Sequence, residues 1–578
     1  MKKTILTISS GLMLLQYLIS CNSGSLFNNS AISTDTIVIA KGKASFNRYC
    51  GGCHNFKQDG IGPQLGGITD SVSAEWIEDF VKDPKKIIES GDSRANELLK
   101  KYKITMTVFS NLTKEEINSI IAFLNTQKLP NPKLAKNDNA ISNPIPEPIK
   151  LSTLTVDMDL VTQIPPSIDS DQIPAARITK LDFEPHTGNT FIVDLRGKLY
   201  RLQNNKPTVY MDMAKLKPKF IHEPRVATGF GSFSFHPDFA KNGLLYTTHA
   251  EAPGSGKADF GYADSIKVTL QWVLTEWKTT TPNAAIFSGT SRELFRVNMV
   301  TGMHGVQEIA FNPLSKPGTK EYGLLYVCIG DGAAVEEGYP FLAHSTDKVW
   351  GTILRLNPAG SNSANGHYGI PADNPFAGQI TRKLGEIYAY GFRNPHRISW
   401  TKSGQLLACN IGQGNIEAID LVLPGHDYGW PIREGNFVLD PLGDLNKVYP
   451  LAANDSIYKI TYPVAAYDHD EGIATCGGLE YWGKSIPQLK GKYLFGDIAT
   501  GRLFYINIAD IKLGKMAPVM EWKVSIKGIS HTLKELCKNE RADLHFGRDS
   551  KGELYILTKT DGKVYKLTGA NMKTQNVQ

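Results

Sequence analysis

The chain has 578 residues, which is too many for one ordinary domain, and its 41% hydrophobic and 21% charged residues exclude wholesale disorder. Its 63 Lys and Arg exceed the 57 Asp and Glu by only six, and no segment concentrates basic residues, so a typical nucleic-acid-binding protein is excluded. Seven scattered cysteines are too few for a disulfide scaffold, whereas 53 glycines, 31 prolines and 10% aromatic residues favour many short strands joined by turns.

The first twenty residues have the pattern of a secretory signal peptide. Two lysines precede an apolar stretch at residues 5–19, which is shorter than the ~20 residues that a transmembrane helix needs. The stretch leads into the sequence LISC at residues 18–21, which resembles the lipobox of bacterial lipoproteins. The resemblance implies cleavage before Cys21 and lipidation of its thiol; the alternative is an ordinary signal peptide with a chance cysteine. We expect a cell-envelope protein, in the periplasm or at the outer surface, tethered by residues 21–36 and attached to a membrane only through its lipid.

The sequence CGGCH at residues 50–54 has the C-x-x-C-H spacing of c-type haem attachment. The thiols of Cys50 and Cys53 can each form a thioether with a vinyl group, while the imidazole of His54 binds the iron. A zinc site would need further cysteine or histidine ligands, and none follows before Leu129; a redox-active dithiol is the other alternative. The motif predicts covalently attached haem c.

Helices are predicted around this motif. Residues 42–49 have helical spacing and lead into it, and Trp76 and Phe80 share one helical face. Residues 111–123 have the pattern of an N-capped amphipathic helix.

Met106 lies just before the last of these helices. The arrangement resembles the class I cytochromes c, in which the matching methionine is the distal iron ligand and a carbonyl in the loop matching Gly62-Pro63 orients the proximal histidine. The alternative for Met106 is an ordinary core methionine. The resemblance implies a small all-α electron-transfer domain over residues 37–128. Residues 129–150, rich in proline, asparagine and lysine, are expected to be a linker.

Residues 151–570 repeat a short phrase. A glycine is followed within a few residues by an apolar strand at residues 197–200, 243–246, 323–326, 385–388, 404–407, 491–494 and 552–555. Short strands between turns over this length predict an all-β domain, and radial repetition of small sheets predicts a propeller whose blade number the spacing does not determine.

Several motifs in this region resemble the glucose/sorbosone dehydrogenases. They are FHPDF at 235–239, IGDG at 329–332, LRLN at 354–357, DNPF at 373–376, YGFRNP at 390–395 and DYGWP at 427–431. The family consists of six-bladed propellers that use pyrroloquinoline quinone (PQQ) and calcium to oxidise aldoses. The resemblance therefore implies a six-bladed propeller, PQQ and Ca²⁺ as cofactors, and a sugar substrate.

The resemblance also implies roles for individual residues. His304 stands where the family has its catalytic histidine, a base that takes the proton of the sugar hydroxyl; a loop histidine is the alternative. Arg393 and Asn394 match the pair that contacts the reactive quinone carbonyls, where a guanidinium stabilises developing negative charge. Asp331 matches a position near the substrate, although a turn aspartate after a strand is the alternative.

A loop at residues 412–415 (GQGN) resembles the one whose backbone carbonyls hold the calcium beside PQQ, which implies Gly414 and Asn415 as ligands. Two departures concern the PQQ carboxylates. The lysine that pairs with a PQQ carboxylate in the family is replaced by Ala499 here. Of the two arginines that bind the other carboxylates near the end of the fold, the match leaves only Arg541. Because a tricarboxylate needs cationic partners, Arg502 and Lys484 are considered as substitutes.

The other cysteines fall into two groups. Cys328 and Cys409 lie within apolar strand phrases and are expected to pack as small hydrophobes. Cys476 and Cys537 are expected on loops, where a disulfide between them stays an open alternative.

Together these features predict an exported lipoprotein that oxidises an aldose or a related sugar or alcohol with PQQ. Electrons would pass to its own haem c and then to a redox partner, and no nucleic acid is involved. The alternative is a cofactor-free propeller that binds glycans or proteins beside an electron-transfer cytochrome.

Overall fold

The computed structural model describes residues 32–572 with the exception of residues 52, 57–58, 60–61, 110–111, 129–138, 169–173, 226 and 380–382. The predicted signal peptide and Cys21 lie outside the described residues. Among the helices of this described part, none is long and apolar enough to cross a membrane.

The N-terminal part is helical. Its helices are α1 (Thr36–Tyr49), α2 (Ile68–Ser71), α3 (Ala74–Lys82), α4 (Pro84–Glu89), α5 (Ser93–Tyr102) and α6 (Lys114–Asn125). Helix α6 begins with a capping box, in which the Thr113 hydroxyl accepts from the N–H of Glu116 and the Glu116 carboxylate accepts from the N–H of Thr113. Phe46 of α1 packs against Phe123 of α6 in the apolar core. The three helices expected from the sequence are confirmed as α1, α3 and α6.

The described part of the expected linker lies against the large domain. Ile141 forms a β-bridge with Val448, the N–H of Ile145 donates to the Asp468 carboxylate at 3.0 Å, and that of Ile149 donates to the Glu471 carboxylate at 3.1 Å. Residues 139–149 are therefore anchored by hydrogen bonds.

The remainder of the described chain is rich in β-structure, with three short helices, α7 (Met213–Leu216), α8 (Phe239–Asn242) and α9 (Leu533–Cys537). Its strands, in chain order, are β1 (Lys150–Gln163), β2 (Ile178–Phe183), β3 (Thr190–Asp194), β4 (Lys198–Gln203), β5 (Lys206–Asp212), β6 (Phe230–Phe235), β7 (Leu244–Glu251), β8 (Leu270–Thr279), β9 (Gly289–Met299), β10 (Glu308–Phe311), β11 (Leu325–Ile329), β12 (Thr352–Leu356), β13 (Ile387–Tyr390), β14 (Pro395–Trp400), β15 (Leu406–Asn410), β16 (Ile416–Val422), β17 (Arg433–Glu434), β18 (Phe437–Leu439), β19 (Val448–Tyr449), β20 (Ala465–Asp468), β21 (Thr475–Glu480), β22 (Lys492–Asp497), β23 (Leu503–Asn507), β24 (Met520–Ile526), β25 (Ile529–His531), β26 (Leu544–Arg548), β27 (Leu554–Thr558) and β28 (Lys563–Met572).

Strands that follow one another in the chain mostly pair antiparallel. Within the described residues, four-stranded sheets hold β6–β9, β10–β13 and β14–β16 with β20, and a three-stranded sheet holds β17–β19. The other strands form one 13-stranded sheet, because β1 pairs parallel with β24 and antiparallel with β28, and because Leu181 of β2 bridges Gly547 of β26. The first and last strands of the domain thus lie side by side. The strand pairing in this 13-stranded sheet is continuous, so it does not by itself separate the blades of a six-bladed propeller.

The repeated glycine phrase is confirmed as a strand signal. Each of the seven glycine phrases carries a strand, namely β4, β7, β11, β13, β15, β22 and β27. Apolar side chains of neighbouring sheets face one another, as in the cluster that contains Trp272, Leu325 and Leu354. Burial of such faces is the main favourable contribution to the folding free energy of a layered β-domain.

The cysteine expectations are confirmed for one pair and wrong for the other. Cys328 and Cys409 are buried in β11 and β15, as expected. Cys476 lies buried in β21 and Cys537 ends α9, so neither is on a loop. The glycines after Cys476 suggest a turn, but they form an irregularity in the β21–β22 pairing instead. The six cysteines in the described part of the chain are free thiols.

Candidate functional site

A single cavity of about 410 Å³ extends between the helical domain and the β-domain. The helical domain contributes Cys50, Cys53, His54 and Met106 to its wall, and the β-domain contributes residues that include His304, Arg393, Asn394 and Arg541. Residues predicted for two different redox centres therefore line one continuous space.

His54 is oriented by a backbone carbonyl, as the cytochrome c resemblance implies. Its Nδ1 donates to the carbonyl oxygen of Pro63 at 2.8 Å, and burial lowers the pKa of the ring, so the imidazole is neutral with Nε2 available for a metal. Gly62 allows this approach, since a Cβ there would lie 2.4 Å from Cε1 of His54.

The rest of this end of the cavity also fits haem c. Cys50 and Cys53 are free thiols, and Met106 lies on the same wall in the irregular segment between α5 and α6. The rings of Trp76 and Phe80 stack with centroids 4.7 Å apart and supply a flat apolar surface. Two thiols, a neutral imidazole, a thioether and apolar walls are the donor set and surroundings that haem c requires. The roles of these residues remain predictions.

The haem-attachment motif packs directly against the β-domain. Nη1 of Arg541 lies 3.1 Å from Sγ of Cys53, and a Cβ on Gly51 would lie 2.5 Å from Nη1 of Arg225. At the edge of the contact, Lys103 forms a 2.9 Å ion pair with Asp470 across the two domains. The cysteine-bearing loop is thus part of the interface between the domains.

His304 is held by a buried carboxylate. Its Nδ1 lies 2.7 Å from Oδ1 of Asp331, and Oδ2 of Asp331 accepts from the indole N–H of Trp430 at 3.0 Å. Burial alone would raise the pKa of Asp331, but His304 and Arg393 outweigh it and the pKa lies below its usual value. His304 also has a φ of 47°, in the left-handed region that non-glycine residues adopt only rarely.

Asp331 itself is 1% exposed and does not line the cavity. The dehydrogenase resemblance implies a place near the substrate, whereas the structure puts this carboxylate behind His304. The carboxylate fixes which ring nitrogen of His304 carries the proton.

Arg393 is anchored on three sides. Nη1 donates to the carbonyl of Gly412 at 2.6 Å, Nε donates to Oε1 of Gln413 at 2.9 Å, and Nη2 pairs with Glu336 at 2.7 Å. Asn394 follows it on the cavity wall. A guanidinium held in this way provides a fixed positive charge at a defined place.

The loop expected to bind calcium is organised by Glu434. One oxygen of this carboxylate accepts the backbone N–H groups of residues 413–416 at 2.8–3.1 Å, and the other accepts from the side-chain amide of Asn415 at 2.7 Å. The carbonyl of Asn415 accepts from the N–H of His469, and neither Gly414 nor Asn415 lines the cavity. Within the described residues no cluster of three or more acidic, histidine or cysteine side chains could hold a metal ion. The calcium ligands remain a prediction.

The substitute cations proposed from the sequence are wrong. Arg502 is bound to Glu471 and Glu521, Lys484 is exposed, and neither lines the cavity. Ala499 is fully buried.

Three buried residues on the cavity wall were not predicted from the sequence, namely Lys559, His396 and His545. Burial lowers the pKa of Lys559 to about 8, and burial also holds the pKa of both histidines well below the usual value. Only a weak sequence pattern marks these three residues, because each is a single polar residue within an apolar strand or at its end.

Comparison with known proteins gives two family matches. The model described as "Glucose / Sorbosone dehydrogenase" matches residues 177–566, and the model described as "Cytochrome c" matches residues 39–128.

Curated relatives match the β-domain at low identity. The chain is 28% identical to the HIPL2 protein of Arabidopsis thaliana over 316 residues, which is 48% of this chain and 43% of that protein. It is 25% identical to quinoprotein glucose dehydrogenase B of Acinetobacter calcoaceticus over 347 residues, 55% of this chain and 64% of that protein. The chain therefore spans less than two thirds of the length of either relative.

Solved structures are also similar. The apo-form of the soluble aldose sugar dehydrogenase from Escherichia coli is 18% identical with a TM-score of 0.49, over 72% of this chain and 100% of that chain. A cytochrome c from Rhodothermus marinus is 25% identical with a TM-score of 0.15, over 16% of this chain and 79% of that chain.

Proposed function

We propose, on the premise that the chain belongs to the glucose/sorbosone dehydrogenase family and carries a cytochrome c domain, that it oxidises an aldose or a related sugar or alcohol with PQQ and passes the electrons to its own haem c. The observation that carries this proposal is the single cavity lined by both domains. Two redox centres in one cavity exchange electrons without a diffusional encounter between proteins.

The residues of the β-domain end of the cavity fit a polyanionic quinone. Arg225, Arg393, Arg541 and Lys559 all line it. One buried ring nitrogen of His396 and one of His545 have no hydrogen-bond partner among the residues that the structure describes. When bound, PQQ supplies the acceptor for a hydride and haem c supplies one-electron acceptance. A redox partner then takes electrons from the haem.

The chain's own residues supply the proton chemistry and the positioning. Because Asp331 occupies Nδ1 of His304, the other ring nitrogen is the one that takes the proton of the substrate hydroxyl. The anchored guanidinium of Arg393 and the amide of Asn394 hold the acceptor end of the quinone and stabilise negative charge there. Asp331 stays ionised and stabilises the imidazolium that results.

We extend the proposal to the architecture. Six successive antiparallel runs support a six-bladed propeller: β2–β5, β6–β9, β10–β13, β14–β16 with β20, β21–β24, and β26–β28 with β1. In this arrangement the pairing of β1 with β28 closes the ring by combining the two ends of the domain in one blade. Calcium at Gly414 and Asn415 is part of the same proposal and rests on the family resemblance.

The proposed location follows from the N-terminal pattern alone. We propose export to the cell envelope with a lipid on Cys21 as the only membrane attachment. Metabolic labelling with a fatty acid tests it: label in the wild-type protein and not in Cys21→Ser supports the lipoprotein assignment, and equal label in both contradicts it.

The experiment for the activity uses the full chain with haem c attached. The protein is incubated with PQQ and Ca²⁺, and a panel of aldoses and alcohols is added without oxygen while haem reduction is followed. We expect reduction only when PQQ and a substrate are both present. No reduction by any substrate, with no PQQ retained, would contradict the proposal and favour the cofactor-free binding module.

A further inference from the structure

Lys559 lies at the β-domain end of the cavity, directly after β27. It is 8% exposed and lines the cavity, and its backbone N–H donates to the carbonyl of Asp543 at 3.0 Å. Within the described part of the chain, no residue forms a hydrogen bond or ion pair with its ammonium group. A buried ammonium without a close anionic partner is uncommon, because desolvation penalises its charge.

The carboxylate of Asp543, which interacts electrostatically with Lys559, is also bound to Arg541. Oδ1 of Asp543 accepts from Nη2 of Arg541 at 2.7 Å and from Nε at 3.2 Å. Burial lowers the pKa of Lys559, the carboxylate of Asp543 acts against this, and the positive charges of Arg177, Arg541 and Arg196 lower the pKa further. Lys559 and Arg541 thus share this wall of the cavity with the carboxylate of Asp543.

Two imidazoles complete this end of the cavity. His396 and His545 are 6% and 3% exposed, and their ring centroids are 5.7 Å apart. Within the described ranges of the chain, Nδ1 of His396 and Nε2 of His545 have no hydrogen-bond partner. Buried polar atoms without a partner are rare in native proteins and are usually satisfied by a ligand or ordered water. Neutral imidazoles can donate N–H groups to an anion.

The position of Lys559 relates directly to the alanine that departs from the family pattern. The carbonyl of Ala499 accepts from the N–H of Ala542 at 3.4 Å, and the carbonyl of the next residue, Asp543, accepts from the N–H of Lys559. Ala499 and Lys559 thus both contact the backbone of the same two-residue segment, Ala499 at Ala542 and Lys559 at Asp543. The two positions are therefore neighbours in the fold.

We propose that Lys559, assisted by His396 and His545, binds a carboxylate of PQQ in place of the lysine that the family resemblance places at Ala499. This inference rests on the proposed function. A carboxylate of an acidic sugar offers the same chemistry as a carboxylate of PQQ. The cofactor is favoured because three or more cationic groups line the cavity, which suits a tricarboxylate better than a single acid group.

The test is a direct titration of PQQ into the haem-loaded full chain without sugar, read by calorimetry. A charge-assisted hydrogen bond corresponds to about a 10- to 100-fold change in affinity, so Lys559→Met is expected to weaken PQQ binding by that factor. Lys559→Arg should bind within a few-fold of wild type. Lys551→Met, which removes an exposed lysine from the other end of the same hairpin, is the matched control and should leave the affinity unchanged.

Folding is checked by thermal unfolding of each apo variant. Because burial penalises the ammonium, Lys559→Met is expected to fold with an unchanged or higher Tm. If Lys559→Met does not fold, Lys559→Gln, which keeps a polar side chain without the charge, decides: weaker PQQ binding by the folded variant supports the proposal, and wild-type affinity overturns it.

Other outcomes are equally decisive. Wild-type binding with an unchanged affinity in Lys559→Met overturns the lysine assignment and leaves the proposed function intact. A wild-type protein that does not bind PQQ at all overturns both. Parallel titrations with glucuronate separate the sources, since an effect of Lys559→Met on glucuronate and not on PQQ would overturn the cofactor assignment.

Discussion

At the residue scale, the proposed proton transfer depends on the pair formed by His304 and Asp331. The carboxylate is almost completely buried, contacts the imidazole at 2.7 Å and is fixed from its other side by Trp430. Such an arrangement keeps one tautomer of the ring and stabilises the protonated form when a proton is taken.

Replacement of His304 by Ala is expected to lower sugar-driven haem reduction by about 10²–10⁴-fold, the usual contribution of a general base. Asp331→Asn should lower kcat more than it changes KM and should shift the pH profile, because the positioning of the ring is altered. Steady-state haem reduction across pH measures both effects. The control is His186→Ala, at an exposed histidine of the same domain, which should leave turnover unchanged. Wild-type turnover in His304→Ala would exclude His304 from the mechanism.

Met106 provides a second test at a single residue. Met106→Leu preserves an apolar side chain but removes the thioether, so the haem reduction potential should fall and the iron should bind added ligands such as imidazole. Potentiometric titration measures the change. The control is Met303→Leu, on the cavity wall of the β-domain, which should leave the haem reduction potential unchanged. An unchanged potential in Met106→Leu would mean that another group is the sixth ligand of the iron.

The sequence predicts some site residues and not others for a physical reason. Cys50, Cys53 and His54 act together because they are adjacent in one short loop, so their spacing alone carries the signal. Lys559 and His545 lie on opposite sides of one hairpin and reach the cavity only through strand pairing with the rest of the sheet. Single polar residues brought together by long-range pairing leave no local pattern.

At the scale of elements, the glycine phrases and the helical spacings were sufficient to find strands and helices, because turns and amphipathic faces are local properties. Cys476 shows where such local patterns fail. The two glycines that follow it resemble a turn, but the irregular pairing of β21 with β22 keeps the segment inside a sheet. How the strands combine into sheets depends on non-local pairing, as between β1 and both β24 and β28.

The loop at residues 412–415 gives a prediction for an element. Glu434 accepts four backbone N–H groups through one oxygen, so Glu434→Gln removes the negative charge that orders this loop and is expected to cost about 1.5–3 kcal/mol of unfolding free energy. Urea unfolding measures it. Glu147→Gln, at an exposed position, should change stability by less than about 0.5 kcal/mol. Equal stabilities of the two variants would contradict the role given to Glu434.

At the scale of the whole molecule, the two domains are in direct contact and line one cavity. The cysteine-bearing loop contacts Arg225 and Arg541 of the β-domain, and residues 139–149 are hydrogen-bonded along that domain. The exposed ion pair between Lys103 and Asp470 adds at most about 1 kcal/mol, so the buried contacts around the shared cavity dominate the interface.

Sequence motifs identify each domain separately, because each motif is complete within its own domain. The contact between them joins residues that are hundreds of positions apart, such as Cys53 and Arg541, and no spacing in the chain encodes it.

The central claim is that electrons pass from the sugar-oxidising site to haem c within one molecule. The most direct test mixes the haem-oxidised, PQQ-loaded protein with a saturating amount of an active substrate in a stopped-flow instrument and follows haem reduction at protein concentrations that span a hundred-fold range. A shared cavity predicts a first-order rate constant that does not change across this range. A rate constant that rises in proportion to protein concentration would show transfer between separate molecules and would contradict the account.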